Sequence, residues 1–144
     1  MRLQVSTRLA IFAVLELAAR EGAQLSVAEI GEKYGVSAHH LAKVMHVMGR
    51  AGLVRAVRGA GGGYQFSGNA RRTTLLDVVQ LFEDPSSVEG ATNGAPAEDE
   101  ALREVLHEID DIARATLGSI TIATMRKLVD RHASGGRNGK SARS

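Results

Sequence analysis

A mainly α-helical protein carrying one small β-hairpin is what this sequence predicts, and three observations point there. Apolar residues recur at helical spacing along most of the 144 positions. Trp is absent and aromatic residues make up 3%, so Leu, Val, Ile, Ala and Met must build the core; with only two Pro, that composition favours helix. One glycine-rich stretch, Gly59-Ala60-Gly61-Gly62-Gly63, separates two short β-rich runs.

In chain order, the first helix is expected from Ser6 or Thr7 to about Arg20, because Ile11, Val14, Leu15 and Ala18 repeat on one face and Gly22 stops it. Ser26 caps a second helix, with Glu29 placed to complete a capping box, and Gly35 ends it. A third helix runs from Ser37 to about Ala51, with Gly52 as its stop signal. The runs Leu53–Arg58 and Tyr64–Ser67 form the hairpin. Thr74 caps a fourth helix through Leu75–Phe82, with Asp77 offering a weaker box. Asp84–Ala97 has no apolar period and reads as a flexible loop. A long helix is expected from about Glu98 to Leu117, and a further turn or helix from near Thr121 to His132. The basic, Gly/Ser-rich tail over 133–144 is expected to be disordered.

Composition excludes several function classes. The chain has no cysteine, so disulfides, thiolate metal sites and cysteine nucleophiles are ruled out. The apolar run Ile11–Ala19 is broken by Glu16, is too short to span a bilayer and lacks the cleavage flank of a signal peptide. A cytoplasmic location with no membrane partner is therefore expected. No constellation of nucleophile, base and orienting group is visible, so no catalytic residue is assigned and no enzyme is expected. Charge is partitioned: residues 1–72 hold ten Lys/Arg and four Asp/Glu, 73–111 one and eleven, 112–144 seven and one. A basic front beside an acidic middle suits a phosphate-binding unit joined to a non-binding one; unevenly solvated faces would give the same charge pattern.

The segment Ser26–Arg50 carries the sharpest pattern. Two helices crossing at a large angle need a tight turn, which Gly35 supplies, and small Gly31 sits where they pack closest. Val36 plugs the angle, and Ser37 caps the third helix, leaving N–H donors and a positive dipole end at its start. Along that helix Leu41, Val44, Met45 and Met48 form an apolar face. His39, Lys43, His46 and Arg50 form another, and the helix contains no acid. Solvated faces usually mix signs for i,i+4 pairing; a donor-only face suits phosphates. His39 and His40 diverge by about 100° on a helix, and His39 and His46 lie about 10 Å apart in rise, so no metal site is assigned.

A hairpin directly after such a helix makes a winged helix–turn–helix. Its first strand carries Arg55 and Arg58, and a tip free of side chains can approach a groove closely, with Arg58 suited to a narrow minor groove. A nucleotide-cradling loop does not fit, because no Lys-Ser/Thr follows the glycines and the flanks are strands.

The residues Met1-Arg2-Leu3, Ser26-Val27-Ala28-Glu29-Ile30, Gly35-Val36-Ser37, Leu41, Arg50-Ala51-Gly52-Leu53-Val54, Val57-Arg58-Gly59 and Gly61-Gly62-Gly63-Tyr64 resemble the Rrf2 family of transcription regulators. Members include an iron–sulfur-cluster regulator, a nitrite-sensitive repressor and a cysteine-metabolism repressor. The resemblance is close over 1–83 and looser through Ala101-Leu102 and Ser119-Ile120-Thr121 to Val129. It implies a homodimer on a dyad-symmetric site in double-stranded DNA, the third helix in the major groove and the wing in the adjacent minor groove. The expected DNA-binding set is then Ser37, His39, His40, Lys43, His46, Arg50, Arg55, Arg58, Gly61, Gly62 and Tyr64. Many members hold an iron–sulfur cluster through three loop cysteines; the corresponding loop Pro85–Ala97 has none. No cofactor is expected, unless Ala91 and Ala97 replace native ligands. Glu98, Asp99, Glu100, Glu104 and Glu108 with His107 read as a solvated acidic helix start more readily than as a hard-metal site.

On the long helix Leu102, Leu106, Ile109, Ala113, Leu117 and Ile120 approach a coiled-coil seam, widened by Val105 and Ile112. They are the expected dimerisation residues. The organisation expected is therefore a winged helix–turn–helix unit over 1–83, a loop over 84–97, the dimerisation helix and C-terminal helix over 98–132, and the tail. A sequence-specific dimeric repressor is the function implied, its effector (a small molecule or a protein) unspecified. A winged-helix adaptor that binds protein and not DNA is the alternative.

Overall fold

In the computed structural model, which describes residues 2–20, 22–59, 62–83 and 94–141 with side chains to residue 135, the predicted fold class is observed. The elements run α1 (Val5–Ala19), α2 (Val27–Tyr34), α3 (Ala38–Arg50), β1 (Val54–Val57), β2 (Gly63–Phe66), α4 (Leu75–Val79), α5 (Ala97–Ser119) and α6 (Ile122–Ser141). Strands β1 and β2 pair antiparallel, Val54 opposite Phe66 and Val57 opposite Gly63.

Helix α1 is the centre. It buries Leu9, Ala10, Ile11, Ala13, Val14, Leu17 and Ala18, and α3, α4, α6 and β2 all pack on it. The expected single stripe is thus too narrow, and Leu15 is only half-buried. A helix surrounded by partners buries most of its circumference, which is why its apolar residues crowd beyond one face.

Caps fix the next elements. Ser26 Oγ accepts from the Glu29 N–H at 3.1 Å, and Gly35 ends α2 in the left-handed region at φ 66°. The return bond of the expected box is absent among the described residues; it is the Thr74–Asp77 box, expected to be the weaker, that is complete. Thr74 Oγ1 accepts from the Asp77 N–H at 3.2 Å, and Asp77 Oδ2 accepts from the Thr74 N–H at 2.9 Å. Helix α4 ends at Val79, earlier than expected, and the chain leaves it through turn bonds from Phe82 and Glu83 to the Val79 carbonyl.

The two C-terminal helices behave differently. Helix α6 is anchored by Ile122, fully buried, whose N–H donates to Thr73 O at 2.9 Å, while Ala123 N–H donates to Ala70 O at 2.8 Å. It extends to Ser141, past the His132 end expected from sequence and into the stretch expected to be disordered. No Pro interrupts that stretch; glycines weaken a helix by about 1 kcal/mol each without breaking it as Pro does. Helix α5 buries no residue at all.

Candidate nucleic-acid interface

The helix–turn–helix is built by close backbone approach. A Cβ added at Gly31 would lie 2.7 Å from the Val36 carbonyl oxygen, whose own residue's N–H donates to Gly31 O at 2.9 Å. Any larger residue at position 31 would push α2 and α3 apart. Outside the turn, Tyr34 stacks on Phe12 with ring centroids 5.1 Å apart and donates its hydroxyl to Glu16 at 2.8 Å. Lys33 also bonds Glu16. Burial works to raise the Glu16 pKa, but hydrogen bonds from Lys33 and Tyr34, with the charges of Lys33 and Arg20, bring it below the ordinary carboxylate value. Burial, then the Glu16 carboxylate, push the Tyr34 phenol well above its usual range. This knot ties α2 to α1 and so fixes the platform from which α3 projects.

Helix α3 divides as its pattern predicts. Leu41, Val44, Met45 and Met48 are buried; His39, Lys43, His46 and Arg50 are exposed. Ser37 caps it, accepting from the His40 N–H at 3.2 Å. His40 itself is half-buried, its Nε2 3.5 Å from Ser6 Oγ, so it braces α3 against the first turn of α1. That contact places the N-termini of both helices side by side. Exposed Arg8, one turn into α1, adds a cation there that the sequence pattern did not single out.

The wing is held at its base and open beyond it. Leu25 and Tyr64 exchange backbone hydrogen bonds of 2.8 and 3.0 Å, adding a bridge beside β2. A Cβ at Gly63 would lie 2.5 Å from Leu25 O, so this approach requires glycine. Tyr64 packs half-buried against the core, a supporting position; Arg55 is exposed but tied to Gln65 Oε1 by bonds of 3.1 and 2.7 Å. Arg58 is exposed and, among the described residues, has no ion-pair partner. Gly62 donates its N–H to Gly59 O at 2.9 Å in the turn, while Gly61 lies outside the described residues.

One positioning residue has no local sequence signal. Glu83 Oε1 accepts from the Gln4 N–H at 2.9 Å and from the fully buried Thr7 hydroxyl at 2.7 Å. It anchors the start of α1 from 76 or more residues away, just where the chain leaves α4.

The proposed dimerisation stripe splits in two. Leu102, Val105, Leu106, Ile109 and Ile112 are 44–61% exposed. Leu117 and Ile120 instead pack against the protein's own core, and Ala113 is half-buried. Ion pairs Arg103–Asp99 and Arg114–Asp110 run along the same helix.

Comparison with known proteins follows the same outline. The family described as Rrf2, iron-dependent transcriptional regulator, matches residues 3–127. BadM of Rhodopseudomonas palustris, a helix–turn–helix type transcriptional regulator, is 47% identical over 147 residues, covering 99% of this chain and 94% of BadM. The transcriptional regulator CymR of Bacillus subtilis is 29% identical over 132 residues, covering 90% of this chain and 93% of CymR. The solved structure of that CymR, the global cysteine regulator, superposes with a TM-score of 0.75 at 26% identity, covering 89% of this chain and 98% of the other. IscR of T. potens superposes with a TM-score of 0.73 at 25% identity, covering 90% and 88%.

Proposed function

This chain belongs to the Rrf2 family of winged helix–turn–helix transcription regulators, and from that premise we propose that it acts in the cytoplasm as a homodimeric repressor on dyad-symmetric promoter DNA. The observation that carries this is α3: a capped N-terminus with an exposed face of His39, Lys43, His46 and Arg50 and no acid. Such a face meets the phosphates and base edges of a major groove. Arg58 on the wing reaches the neighbouring minor groove, where a narrow groove concentrates negative potential. The exposed part of α5 pairs with its copy, which doubles the phosphate contacts and sets half-sites about 34 Å or a multiple apart. Repression then needs only occupancy of the promoter.

The family's description names iron. Iron–sulfur clusters are held by cysteine thiolates, and this chain has none. Among the described residues no group of three or more His, Asp or Glu is placed to hold a metal ion. Ala97, which opens α5, offers no donor atom, and Ala91 lies outside the described residues. The residues do not fit a cluster, so we propose a cluster-free regulator whose release from DNA answers to a small molecule or a protein.

A gel-shift titration tests the proposal. The protein's own promoter fragment should be retained at roughly 10³-fold lower concentration than random duplex at moderate salt. The double charge reversal Lys43→Glu with Arg58→Glu should abolish that preference. Equal retention of random DNA, or a function indifferent to the double reversal, would overturn it in favour of a protein-binding adaptor.

A further inference from the structure

The basic stretch over 112–144 plays no part in the helix–turn–helix or the wing. Two of its cations, with Arg71 from the loop, line a cavity of about 950 Å³ between the loop after β2 and helix α6. Arg71 stands on the loop side; Arg126 and Lys127 stand on the α6 side. Among the described residues Asp130 is the one acid lining it, so these walls carry a net charge of +2. Asn69 and Thr124 add polar groups.

None of the three cations has an ion-pair or hydrogen-bond partner among the described residues. Arg126 and Asp130 stand four apart on one helix, a spacing that commonly pairs, yet no bridge forms between them. Arg126 is also half-buried. Like charges gathered without counter-charges repel one another, a cost that an anion in the cavity would offset. The volume lies within the range of small-molecule sites. The walls are mostly polar, which suits a hydrated, charged ligand over an apolar one.

We propose that this cavity is a binding site for a small organic anion bearing carboxylate or phosphate groups. Arg126 and Arg71 stand on opposite walls, and each guanidinium fork can donate to two anionic oxygens of the ligand. Lys127 adds a point charge, and Asp130 selects against ligands that would crowd its own carboxylate. The occupant ties the loop to α6 across a seam already joined by the Ala123–Ala70 and Ile122–Thr73 backbone bonds. The site does not depend on how the protein meets DNA.

The test is a titration of the full ¹⁵N-labelled chain with citrate, and separately with pyrophosphate, at constant ionic strength, followed by amide chemical shifts. Saturable shifts are expected at Asn69, Ala70, Ala123 and Thr124 for at least one probe. Arg126→Gln should weaken that binding by about tenfold or more, the scale of a lost charge-assisted bond. Asp130→Asn should strengthen it, and both variants should melt as the parent does. Absence of saturation with both probes overturns the proposal, as do shifts confined to α3 and the wing, or equal affinity in Arg126→Gln. A DNA-phosphate role makes the opposite prediction: Arg126→Gln with Lys127→Gln would weaken promoter binding in anion-free buffer and lower its salt slope by about 2. That outcome also overturns it, whereas unchanged promoter binding supports it.

Discussion

Helices α1 and α5 are both rich in aliphatic residues, yet α1 buries eight side chains and α5 none. The difference lies in their neighbours. Helix α1 has α3, α4, α6 and β2 around it, while among the described residues the apolar stripe of α5 reaches the chain's own core only at its end, at Leu117 and at Ile120 just beyond the helix. On α5, Leu102, Val105, Leu106, Ile109 and Ile112 stand 44–61% exposed, an apolar face that its own chain leaves uncovered. One chain therefore completes its winged helix–turn–helix alone, while α5 would be completed only by the proposed dimer.

The largest expected effect falls on the finished half. Leu17 is fully buried, so Leu17→Ala should cost about 2–5 kcal/mol in chemical denaturation, as cavities in tight cores do. On the unfinished half, Leu106→Glu with Ile109→Glu should keep the helical circular dichroism while splitting the assembly. Promoter affinity should fall by about 10²-fold or more, the scale of a lost second attachment. If the double variant unfolds instead, those residues belong to a core within one chain and the contrast between the helices fails.

Smaller effects probe what holds α1 in place. Glu83→Ala leaves the buried Thr7 hydroxyl without its acceptor and should cost about 1–3 kcal/mol by thermal or denaturant unfolding. At Glu16 the folded-state pKa lies below the ordinary value of 4.5. Its contribution to stability is thus complete above that pH and is lost as pH falls through the lower folded value. Because Lys33 is largely exposed, the contribution should be at most about 1 kcal/mol. Glu16→Gln should flatten the acid limb of the stability curve between pH 5 and 3, roughly the carboxylate range. Tyr34 acts at the other end, its raised pKa removing stability as pH climbs past 10.0.

What was legible in the sequence was local. Ser26, Gly31, Gly35 and Ser37 lie within twelve positions, so spacing alone places the turn, the caps and the two faces of α3. Contacts between distant segments carry no such signature: Glu83 reaches Gln4 and Thr7 across 79 and 76 residues, and Arg55 meets Gln65 only through the hairpin register. Periodicity placed α5 correctly but could not tell which of its apolar residues meet their own core. That division depends on where α4 and α6 lie, and so does the cavity beside α6. The Gly/Ser-rich composition of 133–144 suggested disorder, but without a Pro the helix continues to Ser141.

The most direct measurement is sedimentation of the protein with a promoter duplex bearing one inverted repeat. Two chains should bind each duplex, with no one-chain complex detectable before saturation, and random duplex of the same length should remain free at the same concentration. One chain per duplex, or sedimentation that does not distinguish the promoter from random DNA, would contradict a dimeric, sequence-specific regulator.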